Sequence, residues 1–212
     1  PDAYRFYEFF DSKIYKSGDG GETWNEVHSS GRNSIQQIIA DPTDFNTLYA
    51  SVNSRGVIKS TDMGETWFDA SEGLQGKQRI EMAIAPTDPQ RLYLSVENGS
   101  NSDFYVSYDG AEKWYLAEEA QGSDQAWLGT QGGYDNTIIV NPYDEDHIIV
   151  GGIDLHEIRM LEGEEMHREI GSVSFNNTNS WMSFANLGLS GTGGGIGKAD
   201  EIFPFASAEE DD

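Results

Sequence analysis

Three aspartates, Asp103, Asp124 and Asp135, stand in polar stretches where a carboxyl group could give or take a proton. Glycoside hydrolysis needs two such carboxyls about 5 to 10 Å apart. With 37 acidic side chains in 212 residues, a pair at that distance arises by accident, so these three are weak catalytic candidates. Arg55, Trp127 and Tyr134 are the candidates for holding a ligand, the rings by stacking and the guanidinium by hydrogen bonding. The seven arginines, at 5, 32, 55, 79, 91, 159 and 168, show no signature that gathers three of them on one substrate carboxylate. His28, His147, His156 and His167 lack metal-ligand spacing and read as surface or turn residues, so no metal site is expected. No Ser/His/Asp set is recognisable, and the chain has no cysteine for a thiolate or a disulfide. "GTGGGIGKA" (191–199) imitates a phosphate-cradling loop, but Thr192 and Ala199 occupy positions where that loop needs Gly and Ser or Thr. No cofactor is expected.

Charge narrows the partners. Thirteen basic and 37 acidic side chains give a net charge of −24, which argues against nucleic acid and anionic lipid and favours solubility, cationic partners or a salty environment whose ions screen the self-repulsion. No stretch approaches the ~20 apolar residues of a membrane span, so no membrane insertion is expected.

The elements that must position these residues are announced by a repeat. "SGDGGETW" (17–24), "STDMGETW" (60–67) and "SYDGAEKW" (107–114) place Asp19, Asp62 and Asp109 at intervals of 43 and 47 residues. Short apolar runs recur around each copy: "IQQIIA", "TLYASV" and "VIKS" in one unit, "IEMAIA", "RLYLSV" and "FYVS" in the next, "NTIIV", "HIIVGG" and "LHEIRM" in a fourth. Each unit reads as four short antiparallel strands, with a Pro/Asp turn after the first and the octapeptide between the third and fourth. About 45 residues per four strands is the length of a propeller blade. The fold class is therefore all-β, a partial propeller of about 3.5 blades over residues 1–170. Residues 171–212 read as an irregular Gly-rich segment with an acidic tail, or a divergent further blade.

Within the octapeptide, Asp19, Asp62 and Asp109 are expected to accept hydrogen bonds from their own turns, seconded by Ser17, Ser60 and Ser107 and by Thr23 and Thr66. Gly21 and Gly64 tolerate positive φ. Trp24, Trp67 and Trp114 should begin the fourth strands and lie between blades. In the third copy Ala111 and Lys113 replace Gly and Thr, so that turn is expected to be looser or differently shaped. In the fourth unit the octapeptide should fall at 159–166, where "RMLEGEEM" keeps only Gly163 and Glu164.

These octapeptides resemble the Asp-box, or BNR repeat, of sialidases, sortilin-type propellers, two-propeller xyloglucanases and photosystem II assembly factors. "IIADPTDFNTLYASV…GVIKSTDMGETW" is similar to the sortilin-like and xyloglucanase-like form, and "QGGYDNTIIVNPYDEDHIIVGGIDL" (131–155) to a stretch common in large exported proteins of Bacteroidetes type. The resemblance covers roughly residues 12–170. It implies a ligand face on the rim opposite the boxes, comprising 53–56, 97–103, 153–156 and the interblade stretches 29–33, 71–79 and 117–134. The expected function is a non-catalytic binding or assembly module of a larger exported or cell-surface protein, bacterial in source, with a protein or glycan ligand. The alternatives are a glycoside hydrolase of xyloglucanase or sialidase type, and a structural component of a large assembly. Sequons at 98–100 and 176–178 carry little weight beside these readings.

Overall fold

The computed structural model describes residues 6–10, 12–75, 77–117, 127–152, 154–161 and 164–172, and every element among them is a strand. The first sheet is β1 (Phe6–Phe10), β2 (Lys13–Ser17) and β3 (Asn25–Ser29). The second holds β4 (Ile35–Ala40), β5 (Leu48–Val52), β6 (Gly56–Ser60) and β7 (Phe68–Asp69). The third holds β8 (Ile80–Ala85), β9 (Asp88–Asn98), β10 (Asn101–Ser107) and β11 (Tyr115–Leu116). The fourth holds β12 (Thr137–Asn141), β13 (Asp144–Gly151), β14 (Asp154–Leu161) and β15 (Glu164–Ser172). All pairings are antiparallel and run in chain order, which makes each sheet a propeller blade. β15 carries regular structure past position 170, and Asp124 and residues 173–212 lie outside the described residues.

The core lies between the sheets, with one apolar cluster for each pair of neighbours. Ile14, Ile35, Ala50, Val52 and Ile58 fill the first interface, and Val57, Met82, Leu92 and Leu94 belong to the second. Phe104, Val106, Trp127, Leu128, Ile148 and Val150 belong to the third. A middle strand such as β5 is buried at all five positions because a blade covers each face, whereas the outermost β7 is exposed. This is why "TLYASV" is a continuous apolar run rather than an alternating one. Each fully buried Leu, Ile or Val contributes about 1.5–3 kcal/mol.

Polar contacts fix the blades in register. Tyr7 in β1, Tyr49 in β5 and Tyr93 in β9, each on the strand paired with the one that precedes the next turn or hairpin, donate a hydroxyl hydrogen bond to a carbonyl in the following blade: Met63 (2.9 Å), Gly110 (3.3 Å) and Glu145 (2.7 Å). Along the inner strands, Gln37 Oε1 accepts from Met82 N–H (2.7 Å) while its Nε2 donates to Met82 O (3.1 Å). That side chain satisfies an edge that would otherwise be bare.

The octapeptide turns are nearly superposable in their bonding. Ser60 Oγ accepts from Gly64 N–H (2.8 Å) and donates to Asp62 Oδ1 (2.8 Å), and Asp62 accepts from Thr66 N–H (2.9 Å) and Oγ1 (2.5 Å). Ser17, Asp19, Gly21 and Thr23 repeat these bonds at 2.8, 2.8, 2.9 and 2.5 Å. Contrary to expectation, the third turn is neither looser nor different in backbone shape. Ala111 keeps the left-handed conformation (φ 67°, against 74° at Gly64), and its N–H still reaches Ser107 Oγ at 2.9 Å. Burial of the Ala111 methyl in the second core cluster offsets the strain of roughly 1 kcal/mol that a Cβ brings there. Of the four bonds made by the serine and aspartate, the threonine hydroxyl bond is the one lost, because Lys113 offers Asp109 its N–H alone (3.0 Å).

The three tryptophans diverge. Trp114 is 2% exposed and donates across the interface to Ala70 O (2.8 Å), as expected. Trp24 is 38% exposed and folds back on its own turn, bonded to Gly21 O (3.1 Å), and Trp67 does the same to Gly64 O while half-buried. In the fourth blade β14 continues to Leu161 and pairs with β15 from Glu164, leaving no room for a box. Arg159 there pairs with His147 as Ser60 pairs with Leu48.

His147 and His156 are buried, not surface residues. Arg159 Nη2 can only donate, so His147 Nδ1 accepts (3.3 Å) and Nε2 carries the hydrogen toward Glu157 Oε1 (3.0 Å). These partners make burial of the ring tolerable.

The bonds from the Thr66 side chain and then its N–H pull the Asp62 carboxyl down to about 2, and Thr23 does the same for Asp19. At Asp109 burial pushes upward, but bonds from Lys113 N–H and Ser107 outweigh it, and the carboxyl still lies below its ordinary value. A depressed carboxyl stabilises the fold fully above the ordinary carboxylate range and loses that contribution as pH falls toward 2. Thr66→Val is therefore expected to raise the Asp62 titration midpoint by NMR and to shift acid unfolding to higher pH. Tyr93→Phe is expected to lower stability by about 1 kcal/mol in urea unfolding, since it removes one interblade bond and leaves the Glu145 carbonyl without that donor.

Candidate functional site

Two main-chain bonds assemble the rim opposite the box turns. Asn53 N–H donates to Ser34 O (2.9 Å) and Glu97 N–H to Arg79 O (2.9 Å), each tying a β-hairpin turn or strand end to an interblade segment. The turn 53–56 therefore meets the chain just past 29–33, and Glu97 meets Arg79, whose side chain in turn reaches Gly133 near the end of 117–134.

At the junction of the third and fourth blades these contacts build a compact polar surface around Tyr134. Gln131 O accepts from the N–H groups of Tyr134 (3.0 Å) and Asp135 (2.9 Å), closing a tight turn. Arg79 Nη1 donates to Gly133 O (3.2 Å) and Nη2 to Glu81 Oε1 (2.8 Å), so one guanidinium braces the turn against β8. A Cβ at Gly132 would come within 2.9 Å of Glu97 Cγ, so glycine is required for this approach. The outcome is a Tyr134 ring 72% exposed, with a cation and three carboxylates, Glu81, Glu97 and Asp135, on the segments around it. Burial pushes the Glu81 carboxyl above its ordinary value, and the Arg79 charge and hydrogen bond only partly counteract this. Such a surface can stack on a planar or sugar ring while hydrogen-bonding its edges.

The remaining candidates fall elsewhere. Trp127, expected to stack on a ligand, is 0% exposed; its Nε1 donates to Ser95 Oγ (2.9 Å) and its ring lies 5.9 Å from His156. It has no face to offer a ligand, because the interblade segment returns it to the third core cluster. Asp103 was expected in a long turn, 97–103. Instead β9 and β10 continue to Asn98 and Asn101 and leave Gly99 and Ser100 between them, since ladder bonds do not require apolar side chains. Asp103 is 7% exposed opposite Val96, and both its carboxylate oxygens accept from Asn98 Nδ2 (3.0 and 3.1 Å). Arg55 sits on the same rim at the second blade. Desolvation and then the Arg55 charge lower the His28 ring below its ordinary value, and no hydrogen bond or ion pair among the described residues joins Arg55 to Tyr134 or Asp135. Among the described residues no three of His, Cys, Asp and Glu are gathered as a metal would need, and no helix is long and apolar enough to cross a membrane. Glu81 was not singled out in the sequence, and Arg79 and Glu97 entered only as ends of the rim stretches 71–79 and 97–103, where each is one charged residue among many.

The family model for Sortilin-Vps10 (sortilin, neurotensin receptor 3) matches residues 12–185. The chain belongs to this family. Among curated relatives, the oligoxyloglucan-reducing end-specific xyloglucanase of Emericella nidulans is 30% identical over 177 residues, which cover 76% of this chain and 21% of that protein. The xyloglucanase of Hypocrea jecorina is 30% identical over 118 residues, 55% of this chain and 14% of its own length. The chain thus spans about a fifth or less of these relatives. The crystal structure of the Niastella koreensis GH74 enzyme superposes with a TM-score of 0.56 at 18% identity, covering 73% of this chain and 26% of that one. The fold is a sortilin- and xyloglucanase-like propeller.

The Asn98 amide is the recorded partner of both Asp103 oxygens, so Asn98→Ala should leave a buried carboxylate uncompensated. We expect a loss of about 1–3 kcal/mol in thermal or urea unfolding, recovered in part in the double variant Asn98→Ala/Asp103→Asn, which removes the charge but not the unpaired polar group.

Proposed function

We propose that the chain is part of a non-catalytic propeller that serves a larger exported or cell-surface protein as a binding or assembly module, with its protein or glycan ligand on the rim opposite the box turns. The observation that carries this reading is Tyr134, an exposed ring on a turn braced by Arg79 and closed on Gln131. A rigid turn presenting an aromatic residue loses little entropy on binding, which is what a recognition loop on a fixed scaffold requires. Asp103 supports the same reading from the other side: with both oxygens bonded to Asn98 and little exposure, it is poorly placed to trade protons with a substrate.

A glycoside hydrolase is the second reading. It is favoured by the two xyloglucanase relatives, and Asp135 is its best-exposed acid among Asp103, Asp124 and Asp135 whose structure is described. A structural role within a large assembly is the third, in which the same rim would contact a neighbouring subunit.

Glycan-array binding by the full-length protein, run beside hydrolysis of xyloglucan and a sialoside, separates these readings. Tyr134→Ala is expected to weaken ligand binding about tenfold or more without changing the unfolding midpoint, since the ring is exposed. Turnover abolished by Asp135→Asn would overturn the non-catalytic reading.

A further inference from the structure

Apart from the surface around Tyr134, though reaching Ser71 and Glu72 at the start of the stretch 71–79, a groove of about 530 Å³ separates the outer strands of the second blade from the octapeptide turn of the third. Its wall includes Lys59, Phe68, Asp69, Glu72 and Glu112. Phe68 is 48% exposed although it stands in a strand, because β7 is the outermost strand and has only two residues.

Three independent features of the groove point to one kind of occupant. The first is charge. Lys59 Nζ donates to Gly110 O (2.7 Å) and lies 5.5 Å over the Tyr49 ring, so the one cation in the wall is turned into the blade interface. Asp69, Glu72 and Glu112 are exposed, and among the described residues Glu72 and Glu112 form no ion pair. The second is the apolar ring of Phe68 beside these carboxylates. The third is an open strand edge. Ala70 N–H donates to Val57 O (2.9 Å), and in an antiparallel ladder the main-chain groups of the preceding residue, Asp69, then face away from β6 into the groove.

We propose that this groove docks an extended basic peptide segment. An apolar side chain of the segment covers Phe68, its lysines or arginines meet Glu72 and Glu112, and its main chain bonds to the edge of β7 at Asp69. The net charge of −24 draws such a segment in from a distance, and the groove residues set where it stops. The proposal is independent of the reading of the Tyr134 rim.

The test uses the full chain and a fluorescently labelled peptide alternating lysine and leucine, followed by anisotropy at about 0.15 M salt, where longer-range attraction is screened. A peptide alternating glutamate and leucine serves as the counter-probe. Phe68→Ser and Glu72→Lys are each expected to weaken binding of the basic peptide about tenfold. Glu22→Lys makes the same charge change on the exposed first octapeptide and should shift binding less than about twofold. Both groove residues are exposed, so the variants are expected to fold, which circular dichroism checks. If Glu22→Lys weakens binding as much as Glu72→Lys, the attraction is diffuse charge and the proposal fails. It fails equally if Phe68→Ser leaves binding unchanged, or if the acidic peptide binds as well as the basic one.

Discussion

A tyrosine hydroxyl reaching from a strand of one blade to a carbonyl of the next blade is the contact on which the rest of the architecture depends. A sheet of four short strands has two apolar faces and cannot bury both by itself, so no blade is stable without its neighbours. Apolar burial supplies most of the free energy but does not set direction: clusters such as Leu92, Leu94 and Met82 would tolerate some sliding. Tyr7, Tyr49 and Tyr93 do not, because each hydroxyl must meet one particular carbonyl. Desolvation of the ring pushes the Tyr49 hydroxyl up to about 12 and Tyr93 upward as well, so both remain donors at any physiological pH.

This constraint divides the molecule into two rims with different chemistry. On the octapeptide rim the aspartates are occupied with their own turns, and Tyr7, Tyr49 and Lys59 bond to the same turns from the preceding blade. The fourth blade replaces a box with the His147–Glu157–Arg159 network, another way of satisfying polar groups at a strand end. On the other rim, where chain segments enter and leave each blade, the turns carry side chains that local bonding does not consume, and Tyr134 is the most exposed of them that is aromatic.

The fold was legible because its signal is local and repeated. An octapeptide that bonds to itself needs no distant partner, and apolar runs of strand length recur in the same order around it. Strand ends were less legible: "PTDPQ" and "ENGSNSD" look like turns by composition, yet β9 and β10 extend through much of both, since ladder bonds accept polar residues. The surface around Tyr134 was only partly legible. Tyr134 and Asp135 stood out in an aromatic and acidic stretch, but Arg79 lies 54 positions from Gly133, and no spacing rule links them.

The sequence by itself determined the blade repeat and the conformation of the box turns, because the bonds from Ser60, Asp62 and Thr66 close within four residues of one another. It even carried the third turn through the substitution at Ala111, since a single αL residue strains the chain by less than the turn's own hydrogen bonds and burial return. Tertiary structure alone decided which equivalent residues are buried. Trp24, Trp67 and Trp114 hold the same position in the same motif, yet one is exposed, one half-buried and one enclosed. Trp127 and Tyr134, seven positions apart, face core and solvent respectively. Hydrogen bonds inside a turn are set by neighbours along the chain, whereas burial is set by whichever sheet packs alongside, and that sheet is written some forty residues away.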